Sequence, residues 1–419
     1  MLRMCSTALA LVGAAGLAAI AGSASAATYH IVYTFQAGPP DADTSFATLI
    51  NVGGILYGTT AYGGNDGIQV PTCRWKYEGC GTVFSVNPAT GVEQVVYAFQ
   101  GSKDGGSDGA NSYAPVIMIG DTLYGTTNSG GSRQCEGGCG TVFSVNLTSG
   151  AETVLYAFRG GTHGYAPGYG TLISGPGGKL YGTTENGGST NCYDGCGTVY
   201  SLNPSTGAEK LVYSFVGGSD GANPLAGLIK IGTTLYGTTR YGGGSTNCSG
   251  GCGTVYSLNP STGAVQVVYA FKGSDGATPI APLLHIDGML YGTSLVGGAA
   301  GNGTLFALNP SSGSETVLHS FGGGSDGGFP SAGVINVGDK LYGTTNLGGG
   351  STNCVDGCGT VYSLSRKTGA EKILYVFQND PDGASPNGLI AVGGTLYGTT
   401  MSGGTGFDGG GGIVFSITP

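Results

Sequence analysis

The stretch LYGTTRYGGGSTNCSGGCGTVYSLNPSTGAVQVVYAF, residues 235–271, decides the fold. It opens on Leu-Tyr-Gly-Thr-Thr (235–239) and runs through a cysteine-bearing loop to Gly-Thr-Val-Tyr-Ser-Leu (253–258). It then turns on Asn-Pro-Ser-Thr-Gly (259–263) and closes with an apolar run ending at Phe271. Apolar and aromatic residues recur at every second position in the later segments, as a strand with one buried face requires. Asn-Pro-x-x-Gly between two such runs is a turn signal. No window sustains a helical period.

Outward from this stretch, the same unit recurs around the whole chain. Leu-Tyr-Gly-Thr-Thr returns at 56, 123, 180, 341 and 396, and as Leu-Tyr-Gly-Thr-Ser at 290. Gly-Thr-Val-aromatic or a close variant begins at 81, 140, 197, 253, 303, 359 and 412. A run ending in aromatic-x-Phe closes at Phe35, Phe99, Phe158, Phe215, Phe271, Phe321 and Phe377, with His319 in place of the aromatic in one copy. Three markers each count seven, so the chain is a repeat array. Each unit reads as four short strands, a to d, and radial repetition of such units makes a propeller. The expected fold is therefore all-β: a seven-bladed β-propeller with four antiparallel strands per blade. The segment 28–35 is a d-type strand, and 412–417 is a c-type strand. The N-terminal strand is expected to complete the seventh blade and close the ring.

Residues 1–26 read as a signal peptide. Arg3 gives the positive start, Ala8 to Ala21 the apolar core, and Ala24-Ser25-Ala26 the cleavage site. The remaining 27–419 form a single propeller domain. No later segment is apolar enough to span a bilayer. Glycine numbers 87 of 419 residues and only 9% are charged, yet 24 Tyr and 14 Phe argue against disorder. The glycines mark tight turns between short strands. The net charge is −9 and the 15 Lys and Arg form no basic run, which excludes nucleic acid and anionic membrane surfaces as partners.

Beyond Cys5, ten cysteines form local pairs between strands b and c: Cys73/Cys80, Cys135/Cys139, Cys192/Cys196, Cys248/Cys252 and Cys354/Cys358. Units five and seven lack both members. Presence or absence in twos, in an exported chain, predicts five loop-pinning disulfides. Two cysteines with no nearby histidine fall short of a zinc site.

Leu-Tyr-Gly-Thr-Thr, then Gly-Gly, Gly-Thr-Val-Phe, the aromatic-x-Phe run and Asp-Gly-x-x-Pro together resemble the Gloeo/Verruco (GloVer) tandem repeat of exported bacterial proteins. The resemblance covers nearly all of 27–419. It implies export and brings no established activity with it.

In a four-stranded blade the b–c and d–a loops share one face of the disc. Function is expected there, since the opposite face carries only short connections. The recurrent Asp-Gly pairs (Asp108, Asp220, Asp275, Asp326 and Asp382) could form a ring of cation-binding carboxylates, but turn chemistry alone accounts for them. The Thr pairs of strand b read as strand formers, and His285 and His319 as packed structural residues.

Departures from the repeat are more informative. The longest b–c loop holds Arg74, Trp75, Lys76, Tyr77 and Glu78, with the chain's one tryptophan. The following d–a loop carries Lys103, Asp104 and Tyr113. The next loops add Arg133 and Glu136, then Arg159, His163 and Tyr165. Ring geometry puts these in one sector, where aromatic and cationic side chains suit stacking on a sugar or gripping a peptide. The favoured reading is a non-catalytic exported propeller, a monomer, binding an extracellular glycan or protein. A glycan hydrolase or lyase working at the channel mouth and a structural envelope protein are the alternatives. Glu78 with Glu136 could serve as an acid/base pair, and His163 as a base near Asp104 or Asp108. No metal site and no cofactor is expected.

Overall fold

Strand c of each unit is tyrosine- or phenylalanine-centred and apolar on alternate positions, and it is buried along nearly its whole length. In unit four it spans Thr254–Leu258. Sequence alternation predicts one buried face, but both faces of this strand are covered because neighbouring blades stack on either side. The structure, a computed structural model, describes residues 27–36, 40–64, 73, 79–101, 108–405 and 410–419. The expected signal peptide therefore lies outside the described residues.

Unit four shows the blade pattern. Strands Ile229–Ile231 (a), Thr234–Thr239 (b), Thr254–Leu258 (c) and Val265–Ala270 (d) pair in that order, each antiparallel to the next. Seven such four-stranded sheets form the ring. Six are each built from one continuous stretch of chain. In the seventh, Thr28–Thr34 pairs antiparallel with Ile413–Thr418, with Thr28 opposite Thr418.

The core lies between blades rather than within them. The phenylalanine that ends each d strand is fully buried and meets, edge to face, the strand-c aromatic of the next blade. Phe35 meets Phe84, Phe99 meets Phe143, Phe158 meets Tyr200, and Phe215 meets Tyr256. Phe271 meets Phe306, Phe321 meets Tyr362, and Phe377 meets Phe415. Burying one such ring contributes about 2–3 kcal/mol, so the seven together form much of the inter-blade adhesion.

The glycine of Leu-Tyr-Gly-Thr-Thr makes room for these aromatics. A Cβ on Gly237 would sit 2.6 Å from the Tyr256 hydroxyl, and one on Gly58 2.6 Å from the Phe84 ring. The paired threonines do more than favour extended backbone. In six units the second hydroxyl of the pair bonds the strand-c threonine at 2.8 Å, as in Thr239 with Thr254. The first donates to a carbonyl of the next blade in five units, as Thr59 does to Ala114.

Candidate functional site

All five disulfides form between strands b and c. Asn191, Asn247 and Asn353 donate from those loops to carbonyls of the adjoining d–a loops, so both loop types occupy one face.

The five expected pairs form, and beyond that the second cysteine of each is buried. Cys80, Cys139, Cys196, Cys252 and Cys358 are buried and belong to the hydrophobic core, not to the exposed face. The reason is position. Each directly precedes the glycine that opens strand c, so it already lies at the seam between blades. Its carbonyl also accepts an N–H from the loop entering the next blade. Asn111 donates to Cys80, Ala166 to Cys139, Asn223 to Cys196, Thr278 to Cys252 and Ser385 to Cys358. The first cysteines Cys135, Cys192, Cys248 and Cys354 are only partly buried. Each of the last four disulfides thus ties a partly buried loop cysteine to a buried anchor, while in the first both Cys73 and Cys80 are buried.

The Asp-Gly carboxylates, and Asp41 in the same place, engage strand d and the turn, while Asp220 Oδ1 is buried without a partner. Asp220 accepts from the Tyr213 hydroxyl at 2.9 Å and from the Val216 N–H at 3.0 Å. Asp41, Asp108, Asp275 and Asp382 accept in the same way from Tyr33, Tyr97, Tyr269 and Tyr375. This is turn chemistry that also ties strand d to the loop after it. A glutamate from the next blade faces several of these pairs. Burial first, and the neighbouring aspartate second, push Glu93 up to about 7, Glu152 to about 8 and Glu315 to about 7.

At the ring axis on this face is a cavity of about 320 Å³, bordered by the residues that lead into strand a of all seven blades. Its most aromatic side is a cluster of three rings. Phe46 meets Tyr113 edge-on at 5.0 Å, and Tyr113 stacks on Tyr169 at 4.9 Å with planes 7° apart. Tyr113 is buried, while Tyr169 remains 42% exposed. Glu185 and Arg240 also line the cavity. Burial raises the Glu185 carboxyl, with Arg240 opposing and Asp194 reinforcing the shift. The Arg240 guanidinium lies over the Tyr241 ring at 4.8 Å, and its Nε is buried without a hydrogen-bond partner.

A second, wider hollow of about 990 Å³ extends outward over units one to three. Tyr113, Tyr169 and Glu185 line both spaces, so the groove runs into the axial cavity. Four residues expected from the sequence are together in it: Tyr113, Glu136, Arg159 and Tyr165. Tyr165 hydrogen-bonds Asp194, a further lining residue. Cys73 borders the groove, which puts the unit-one disulfide at its edge. Arg133 is exposed on the neighbouring disulfide loop. His163 faces elsewhere: its Nδ1 lies 3.0 Å from Glu209 Oε2, in the place that aspartate takes in other units. Asp108 is engaged by Tyr97 rather than by a histidine. Arg74, Trp75, Lys76, Tyr77, Glu78, Lys103 and Asp104 lie outside the described residues.

Sequence reading did not single out Phe46, Glu185, Asp194 or Arg240. Glu185 and Arg240 each directly follow a Leu-Tyr-Gly-Thr-Thr motif, as do Asn128, Leu295 and Met401, which also line one space or the other. In these five units the position after the motif borders one of the two spaces, and its variation in an otherwise regular repeat was the available signal.

The profile of the Gloeobacter/Verrucomicrobia repeat matches residues 23–249 and again 244–419. The chain belongs to the Gloeobacter/Verrucomicrobia repeat family. No functionally curated protein matches this family member in sequence. Among solved structures, it is similar to an oligogalacturonate lyase in complex with manganese, at 13% identity and a TM-score of 0.53, over 94% of this chain and 96% of that one. An oligogalacturonate lyase from Vibrio parahaemolyticus gives 10% and 0.50 over 94% and 97%. A chain of a nidogen/laminin complex gives 13% and 0.41 over 70% and 89%. At such identities the likeness is one of fold alone. In this Gloeobacter/Verrucomicrobia repeat protein no described helix is long and apolar enough to cross a membrane. Its five disulfides suit an oxidising, extracellular or periplasmic setting.

Proposed function

We propose that this protein is exported and binds an extracellular glycan through the groove that runs from the unit-one to unit-three loops into the axial cavity. One observation carries the reading: an exposed, stacked tyrosine, Tyr169, stands where the two spaces join, with Arg159 and several carboxylates along the same groove. An aromatic face covers the apolar side of a sugar ring, while flanking polar groups meet its hydroxyls. Disulfides hold the loops, so little ordering entropy opposes binding.

The test is calorimetric titration of the mature protein with a panel of cell-wall and plant oligosaccharides. Tyr169→Ala should weaken the best ligand by about tenfold or more, the loss of roughly 1.4 kcal/mol. Arg159→Ala should weaken it less. Equal affinity in both variants would remove the groove from consideration. No binding across the panel would shift the reading to a protein partner or a structural role.

Glu185 favours one second reading, a glycan hydrolase or lyase. A carboxyl raised by burial beside another carboxylate can hold the proton that a leaving group needs. Product analysis separates the two. A binder leaves its oligosaccharide intact, whereas an enzyme shortens it and Glu185→Gln stops it.

A further inference from the structure

Seven seams join the blades at their outer strands, and each is built from a few side chains. In the seam after blade one they are Tyr97 and Asp108 with Glu152 of the next blade. The seam between blades five and six departs from this at one residue. There His319 replaces the tyrosine, with Asp326 in the following loop and Glu371 on strand d of blade six.

His319 Nε2 points at both carboxylates. It lies 3.4 Å from Asp326 Oδ2 and 3.8 Å from Glu371 Oε2. It is buried and makes no hydrogen bond, although the tyrosine hydroxyls in its place elsewhere do. The ring is held edge-on against Phe321 at 4.8 Å. Asp326 is fixed by the Gly322 N–H, which donates to Oδ2 at 2.9 Å. Glu371 is nine-tenths buried, and its other oxygen, Oε1, has no partner. That second oxygen is also unpaired in Glu93, Glu152 and Glu315. The unpaired imidazole nitrogen is not repeated in any described seam.

The three ligand atoms lie within 4.8 Å of one another. A tetrahedral zinc ion with bonds of about 2.0–2.2 Å sets its ligand atoms roughly 3.3–3.6 Å apart, so the carboxylates would draw in slightly on binding. One nitrogen and two carboxylate oxygens are donors such an ion accepts. We infer that His319, Asp326 and Glu371 form a zinc site that clamps blade five to blade six. The edge of the cluster reaches solvent, where His319 and Asp326 keep 20% and 30% of their side chains exposed. The ion supplies the cross-link that the tyrosine hydroxyl supplies elsewhere, and it neutralises two carboxylates that otherwise face each other. The site is on the outer strands and independent of the groove.

Isothermal titration of the chelator-treated, tag-free protein with zinc chloride tests it. One equivalent should bind, and zinc should raise the thermal midpoint. His319→Tyr restores the side chain of the other units and is expected to fold. It should weaken that equivalent by about 100-fold or more. Glu371→Gln, which keeps the shape of the seam, should do the same. Loss of binding in both variants, with unchanged circular dichroism, supports the site. No binding by the wild type, or equal binding by His319→Tyr, overturns it.

Discussion

Gly237 shows how a missing side chain sets the depth of a blade. Its hydrogen lets Tyr256 lie flat over strand b, and a methyl group there would meet the tyrosine at 2.6 Å. Gly237→Ala should destabilise the protein by about 1–3 kcal/mol, the usual range for overpacking, measured by denaturant unfolding. Phe215→Ala, which empties the neighbouring seam, should lose about 3–5 kcal/mol. The seam glutamates make a different prediction. Glu93 faces Asp41 and Tyr33, Glu152 faces Asp108 and Tyr97, and Glu315 faces Asp275, Tyr269 and Lys272. Each binds its proton more tightly folded than unfolded. Their contribution is therefore complete below the ordinary carboxylate range and is lost as pH rises through about 7 to 8. The thermal midpoint should fall between pH 5 and pH 9. Replacing all three by glutamine should flatten that fall, and an unchanged slope would show that other groups set it.

Among elements, the disulfide loops separate local from global order. Each of four pairs closes a loop only four residues apart, such as Cys192 with Cys196. Alanine is the replacement to use, because Cys196 is buried and a serine hydroxyl there would need a partner. The double variant Cys192→Ala, Cys196→Ala should lower global stability by about 2–3 kcal/mol, from the lost cross-link and a small void. Amide exchange in residues 189–195 should nevertheless rise sharply, because the disulfide closes this outer loop on its buried end. Legibility also varied by element. Strands b, c and d were readable because each carries its own marker seven times over. Cysteine pairing was readable from spacing, but the burial of Cys80, Cys139, Cys252 and Cys358 was not, since the neighbouring blade that covers them is distant in sequence. The site was readable only in part. Tyr113, Glu136, Arg159 and Tyr165 stood out as departures from the repeat, and they do line the groove. His163 stood out equally but turns to Glu209, a residue in the next unit's strand d. Nothing local in the sequence links those two residues. The same distance hid the pairing of His319 with Glu371, although the substitution at 319 was plain.

At the scale of the whole molecule, ring closure rests on one strand. Thr28–Thr34 fills the outer position of blade seven, and Phe35 carries the aromatic contact onward to Phe84 of blade one. Removing 27–36 should leave a chain that aggregates or stays partly unfolded. A synthetic peptide of those ten residues, added in trans, should restore a soluble, cooperative fold. A truncated chain that unfolds with the wild-type midpoint would mean that closure contributes little. The pairing of Thr28 with Thr418 also sets an order of events in the cell. Among the described strands, Thr28–Thr34 comes first in the chain and its partner Ile413–Thr418 comes last. Until that partner is made it is an open sheet edge, able to pair with any passing strand. Such a chain has reason to stay unfolded until both strands are present, a habit that would suit the export proposed for it.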